Sequence, residues 1–117
     1  MKAVLREMMQ RVPGSLGAAV IGLDGIPVEK VAADGSFNID LASAEGISVV
    51  KRAAMSLRDL PSEPLEEVTI SCRSRTTILR SVGSDYYLCV VVGPDSVPGR
   101  ARFEAWRAGQ QLREVIG

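Results

Sequence analysis

Hydrophobic positions at helical spacing open the chain. Within the first twelve residues they recur at one-, three- and four-residue steps, which places them along one side of a helix: Val4, Leu5, Met8, Met9 and Val12. Pro13 and Gly14 then stop the helical pattern. The sequence therefore predicts a short first helix whose apolar side packs on another element.

Two apolar runs follow, and a turn signal separates them. Leu16 to Leu23 and Ile26 to Ala32 flank the pair Asp24-Gly25, which suits the positive φ values of a two-residue hairpin. Pro27 cannot donate a hydrogen bond to a neighbouring strand, so the second strand is predicted at a sheet edge and the first nearer the centre.

The pattern changes to helical period from about Leu41 to Leu60, with Asn38 or Asp40 as the cap and Pro61 as the stop. One side of this long helix is small and apolar, which allows close packing on a sheet: Ser43, Gly46, Ile47, Val50, Ala53, Ala54 and Leu57. The opposite side mixes apolar and charged residues.

Three more strands are predicted in quick succession, at Glu67 to Arg73, Thr76 to Val82 and Tyr86 to Val92. The first alternates apolar and polar residues and is predicted half-exposed, whereas the last is apolar throughout and is predicted to be central. A final helix starts near Pro98 and carries one apolar stripe: Ala101, Ala105, Ala108, Leu112 and Val115.

These elements predict one α+β domain over residues 1 to 117, a three-layer sandwich with a five-stranded antiparallel sheet covered on both faces. Neither a linker nor an internal repeat interrupts the pattern.

Charge and composition restrict the partners. The 14 basic and 14 acidic residues cancel, which argues against a nucleic-acid partner. The longest apolar runs are too short to cross a bilayer, and the first twelve residues do not resemble a signal peptide, so neither membrane insertion nor export is predicted. Two cysteines, Cys72 and Cys89, are too few for a disulfide framework and favour a cytoplasmic location.

The residue inventory argues against an enzyme. The chain has no histidine, which excludes a Ser-His-Asp triad and the usual zinc sites, and no catalytic residue, cofactor or metal is predicted. Most aspartates lie beside glycine, proline or serine at predicted turns. Gly14-Ser15-Leu16-Gly17 lacks the lysine of a phosphate-binding loop and is interpreted as a turn.

Several short motifs in a fixed order resemble the Roadblock/dynein light-chain family over nearly the whole chain. They are Val12-Pro13-Gly14, Asp24-Gly25, Tyr87-Leu88, and Gly99 with Arg102. The resemblance implies the strand order 2-1-5-4-3, with the long helix on one face and both terminal helices on the other. It also implies homodimers or heterodimers joined through the third strand and the long helix. Bacterial members that resemble this chain act as GTPase-activating partners or adaptors of small Ras-like GTPases in gliding motility and cell polarity.

In that topology the half-exposed third strand lies at an edge, where unpaired backbone groups invite a partner strand. The predicted dimer interface consists of Glu67, Val68, Thr69, Ile70, Ser71 and Arg73. The predicted partner surface is the outer side of the long helix, at Leu41, Glu45, Ser48, Val49, Arg52 and Met55. A solvated face with scattered apolar residues is the competing interpretation of that helix.

Phe103 and Trp106 lie away from the alanine stripe of the last helix. Packing against the first helix is the favoured explanation, and a second partner surface is the other. Arg73, Arg75 and Arg80 flank the hairpin that the third strand begins but are not assigned as an arginine finger.

The leading hypothesis is a non-enzymatic, dimeric regulator or adaptor of a small Ras-like GTPase. The alternative is a scaffold that joins other roadblock-type subunits or a motor complex without contacting a GTPase.

Overall fold

Three helices and five strands follow one another in the predicted order. The computed structural model describes residues 1–60 and 63–116. The elements are α1 (Lys2–Arg11), β1 (Ser15–Gly22), β2 (Pro27–Ala32), α2 (Ile39–Ser56), β3 (Glu67–Ser71), β4 (Thr76–Ser81), β5 (Tyr86–Val92) and α3 (Pro98–Ile116).

The long helix α2 begins earlier and ends earlier than its hydrophobic pattern suggests. Asn38 is the N-cap, and its side-chain oxygen accepts a hydrogen bond from the backbone N–H of Leu41 at 3.0 Å. At the other end the N–H of Leu57 bonds to the carbonyl of Ala54, which tightens the last turn and ends the helix at Ser56. Pro61, the predicted stop, lies outside the described residues.

The five strands form one antiparallel sheet in the order β2-β1-β5-β4-β3. β5 lies at the centre and is buried along almost its whole length, as its continuous apolar sequence predicts. β2 and β3 form the two edges, which confirms the edge position predicted for β2 from Pro27 and the one that the family resemblance implies for β3.

Each face of the sheet has its own hydrophobic core. On one face α1 and α3 pack over Val20, Leu88 and Val90, with Leu5 and Leu112 among their buried side chains. On the other face α2 contributes three large side chains, Ile39, Ile47 and Val50. They pack over Ile21, Leu79, Cys89 and Val91. The three-layer α+β sandwich is therefore confirmed.

The small residues of α2 bring the helix close to the sheet. A Cβ atom built on Gly46 would lie 2.7 Å from Cδ2 of Leu79 in β4, which is too close for a packed core. Ser43, one turn earlier, is also fully buried. Glycine at position 46 thus sets the distance between α2 and β4.

Two residues predicted on buried stripes are exposed. Val115 is 59% exposed, because in the last turn of α3 it is Ile116 that packs against the core, near Gly83 between β4 and β5. Ala54 lies in the last turn of α2 and is also exposed. Helical period therefore locates the buried side correctly in mid-helix and fails at the ends.

Candidate protein interaction surfaces

β3 offers an open backbone edge. The N–H of Ser81 donates to the carbonyl of Glu66 at 2.9 Å, and the N–H of Cys72 donates to that of Arg75 at 2.8 Å. Bonded pairs alternate in an antiparallel ladder, so even-numbered residues of β3 bond to β4. The backbone N–H and C=O groups of Glu67, Thr69 and Ser71 consequently point away from the sheet.

The opposite edge, β2, is obstructed. It begins at Pro27, and the register with β1 shifts between Val20 and Ile21. Its charged side chains are also engaged, since Glu29 lies 3.7 Å from Lys2 and Lys30 lies 2.7 Å from Asp40. Proline, irregular register and charge are the features that prevent strands from pairing at an edge. β3, in contrast, contains no proline and pairs with β4 in an unbroken register, and its one charged residue is Glu67 at its first position.

The two faces of β3 differ. Val68 lies opposite Leu79 and Ile70 lies opposite Thr77, on the side that α2 covers, and both are half-buried there. α2 itself packs over β1, β2, β4 and β5. Val68 and Ile70 therefore form a partly covered apolar strip beside α2, next to the open edge.

Glu67 is held by two arginines from two other elements. Its carboxylate is 13% exposed and lies 3.0 Å from Nη1 of Arg80 in β4 and 2.7 Å from Nη2 of Arg102 in α3. Opposite charges at that distance in a half-buried site hold β3, β4 and α3 together. This cluster leaves no signal in the sequence, because residues 67, 80 and 102 meet only through the tertiary fold.

Arg73 does not lie on the strand. β3 ends at Ser71, two residues earlier than predicted, because the bond from Cys72 to Arg75 closes the β3–β4 turn. Arg73 is exposed in that turn. The predicted strand over Glu67 to Arg73 is therefore too long, and Arg73 is not part of the edge ladder.

The orientation of α2 shows which of its sides faces β3. Asp40 bonds to Lys30 in β2, and Ile47 contacts the hairpin near Gly25, so one flank of the helix faces β1 and β2. At about 100° per residue, Glu45 and Val49 lie on the other flank. They are thus on the side of α2 nearer to β3.

The predicted partner residues form one stripe along the outer side of α2. Steps of four, three, four and three residues connect them, which is the spacing of neighbours on a helix surface: Leu41, Glu45, Ser48, Arg52 and Met55. Val49 lies beside the stripe. Leu41 is 54% exposed and Met55 is 63% exposed, although both are large and apolar. The outer side of α2 is therefore an exposed surface of mixed chemistry.

Cys89 lies in the interior of the sheet. Burial in the centre of β5 raises the pKa of Cys89 to about 12, so that thiol stays protonated at neutral pH.

Within residues 1–60 and 63–116 there is no cluster of three potential metal-ligating side chains. None of the helices in that part of the chain is both long and apolar enough to cross a bilayer.

Phe103 and Trp106 are exposed, so the expectation that they pack against the first helix is wrong. Phe103 is 54% exposed and Trp106 is 44% exposed, and their ring centroids lie 6.1 Å apart. α1 meets α3 along a different side, where Glu104 and Ala108 line the groove between the two helices. The aromatic pair therefore lies on the outer surface of α3.

No protein-family model matches the sequence, and no curated protein does either. Solved structures do resemble the fold. A Roadblock/LC7 domain from Streptomyces avermitilis superposes with a TM-score of 0.87 at 16% identity, covering 99% of this chain and 97% of that one. The gliding protein MglB from Thermus thermophilus gives a TM-score of 0.85 at 16% identity, with 97% and 85% coverage.

MglC from Myxococcus xanthus shares 23% identity with this chain at a TM-score of 0.70, covering 97% of this chain and 96% of that one. At these identities the similarity is one of architecture, and the sheet order and the placement of helices agree with it. The chain therefore has the Roadblock-family fold.

Proposed function

We propose that this chain is a non-enzymatic regulator or adaptor that forms a two-fold dimer and binds a small Ras-like GTPase. The observation that carries the proposal is the combination of an open β3 edge with an exposed, mixed stripe on the adjacent helix α2, in a Roadblock fold. The gliding protein MglB among the structural neighbours supports a role in motility. A role in cell polarity rests on the family resemblance alone.

The dimer would form where β3 of one copy pairs with β3 of another. A two-fold axis brings the same surface of both copies together, and an antiparallel strand pair satisfies that symmetry. Pairing would satisfy the outward backbone groups of Glu67, Thr69 and Ser71 in each copy. It would also place the half-buried Val68 and Ile70 of both copies side by side.

The GTPase would bind the outer stripe of α2. Exposed Leu41 and Met55 offer apolar contact, while Glu45 and Arg52 supply charges that fix orientation. A protein without catalytic groups can still control a GTPase if it binds one nucleotide state more tightly, because its binding energy then shifts the population of states.

The test is a binding titration with a small Ras-like GTPase from the same genome, loaded with GDP or with a non-hydrolysable GTP analogue. The expected affinities differ at least tenfold between the two states, which corresponds to about 1.4 kcal/mol. Arg52→Glu should abolish that binding. Lys51→Glu makes the same charge change at the neighbouring exposed residue outside the stripe and should leave binding unchanged.

A protein that dimerises but binds neither nucleotide state would contradict GTPase regulation. That outcome would favour the scaffold function, in which the dimer joins other roadblock-type subunits.

A further inference from the structure

The exposed aromatic pair on α3, Phe103 and Trp106, has arginines as its main charged neighbours. On a helix the surface neighbours of a residue lie three and four positions away. For Phe103 and Trp106 those positions hold three arginines, two glycines and a glutamine, and no acidic residue: Gly99, Arg100, Arg102, Arg107, Gly109 and Gln110. An aromatic centre with arginines around it has the composition of a binding hot spot.

The layer formed by α1 and α3 as a whole also has more basic than acidic side chains. α1 and α3 together carry seven basic and three acidic side chains, although the full chain is neutral. Two of the basic side chains, Lys2 and Arg102, pair with Glu29 and Glu67 of the sheet, so the helices and these two partners together carry a net charge of +2. A partner that complements this layer carries negative charge.

The arginines around the aromatic pair are held in place. Arg102 is bound to Glu67, and Nε of Arg100 donates to the backbone carbonyl of Arg11 at 2.8 Å. Arg107 lies 3.9 Å from the buried Glu104. Within residues 1–60 and 63–116, Arg100 has no carboxylate within salt-bridge distance, so its charge is not neutralised locally.

We infer that the outer face of α3, centred on Phe103 and Trp106, is a second docking surface, and that it binds an acidic polypeptide segment carrying a large apolar anchor residue. The apolar anchor would pack against the two rings, and the acidic groups would meet Arg100 and Arg107. This inference does not rest on the proposed GTPase function, because α3 and α2 lie on opposite faces of the sheet.

A protein segment fits this surface better than a lipid bilayer does. Membrane attraction by basic residues relies on clusters of four to eight lysines or arginines. Only three arginines lie next to the aromatic pair, and hydrogen bonds within the protein fix Arg100 and Arg102, which suits a partner with charges at defined positions.

The experiment is a selection of random 16-residue peptides, displayed on phage, against the full chain and in parallel against the double variant Phe103→Ala/Trp106→Ala. We expect peptides enriched only on the wild type, with an excess of Asp and Glu and at least one large apolar residue. Enrichment without an acidic excess, or equal enrichment on the variant, would overturn the inference.

The best peptide can then be titrated by fluorescence, since Trp106 is the only tryptophan in the chain and reports from the site itself. We expect a saturable blue shift that weakens with salt. Phe103→Ala should lower the affinity at least tenfold, whereas Val115→Ala, at an exposed apolar residue near the end of the same helix, should not change it. A peptide with every acidic residue replaced by lysine should not bind.

Vesicles containing phosphatidylserine complete the test. Aromatic-dependent binding to vesicles together with failure of all peptides would show a membrane surface and would refute the peptide site. All three assays leave β3 and α2 unaltered, so their outcome is separate from that of the GTPase titration.

Discussion

At the scale of single residues, the two cysteines show how position controls chemistry. Cys89 is fully buried in β5 and its pKa is raised to about 12 by burial, whereas Cys72 is exposed at the end of β3. Only the thiolate reacts, so the raised pKa and the packing both protect Cys89 at pH 8. We expect one thiol per native chain to react with a maleimide at pH 8, and two in denaturant.

The variant Cys72→Ser is the matched control for this count, since it should leave no reactive thiol in the native protein. Rapid labelling of the native variant would mean that β5 is not buried as described.

Residue-level predictions from the sequence succeeded where one periodic pattern decides the outcome. Ile47 and Val50 are buried as the helical period of α2 predicts. Phe103 and Trp106 were predicted to pack against the first helix because large aromatics are usually buried. That prediction failed because the sequence does not show which side of α3 meets α1, and the structure places α1 beside Glu104.

At the scale of elements, the close contact between α2 and the sheet depends on the absence of a side chain at Gly46. Gly46→Ala would place a Cβ 2.7 Å from Leu79, which is fully buried and has little room to move. Overpacking of this kind costs about 1 to 3 kcal/mol and should outweigh the gain of about 1 kcal/mol in helix propensity.

We therefore expect Gly46→Ala to lower the free energy of unfolding by about 1 kcal/mol in a urea titration. Gly99→Ala is the control, because a Cβ at position 99 would meet no atom within 4 Å. If both variants were equally stable, α2 would not approach β4 as closely as the structure shows.

The order and type of all eight elements could be predicted from the sequence, since each is bounded by a strong local signal such as Pro13-Gly14 or Asp24-Gly25. The residues at which the elements end could not be predicted in this way. β3 stops at Ser71 and α2 at Ser56 because of backbone hydrogen bonds in the following turns, which the alternation of apolar residues does not reveal. The strand order came from the family resemblance rather than from any single pattern.

At the scale of the whole molecule, the two sheet edges differ in a way that limits assembly. β3 is open, whereas β2 carries Pro27 and an irregular register with β1. If both edges could pair, copies would add without end, but one open edge closes after two copies. The proposed assembly is therefore a dimer whose mass does not grow with concentration.

Replacing Thr69 with proline should prevent dimerisation without disturbing the fold of the single chain. The N–H of Thr69 faces away from β4, so Thr69→Pro removes no hydrogen bond to β4 and blocks only a partner strand. Ala32→Pro is the matched control on the β2 edge, since the bond from Ala33 to Leu16 leaves the N–H of Ala32 facing outward. Both variants should fold, as far-ultraviolet circular dichroism would show.

The most direct test of the central claim is the mass in solution, measured by size-exclusion chromatography with light scattering at high micromolar concentration. Association through β3 predicts twice the chain mass of 12.5 kDa for the wild type and for Ala32→Pro, and a single chain mass for Thr69→Pro. A monomeric wild type, or a Thr69→Pro variant that remains a dimer, would contradict association through β3.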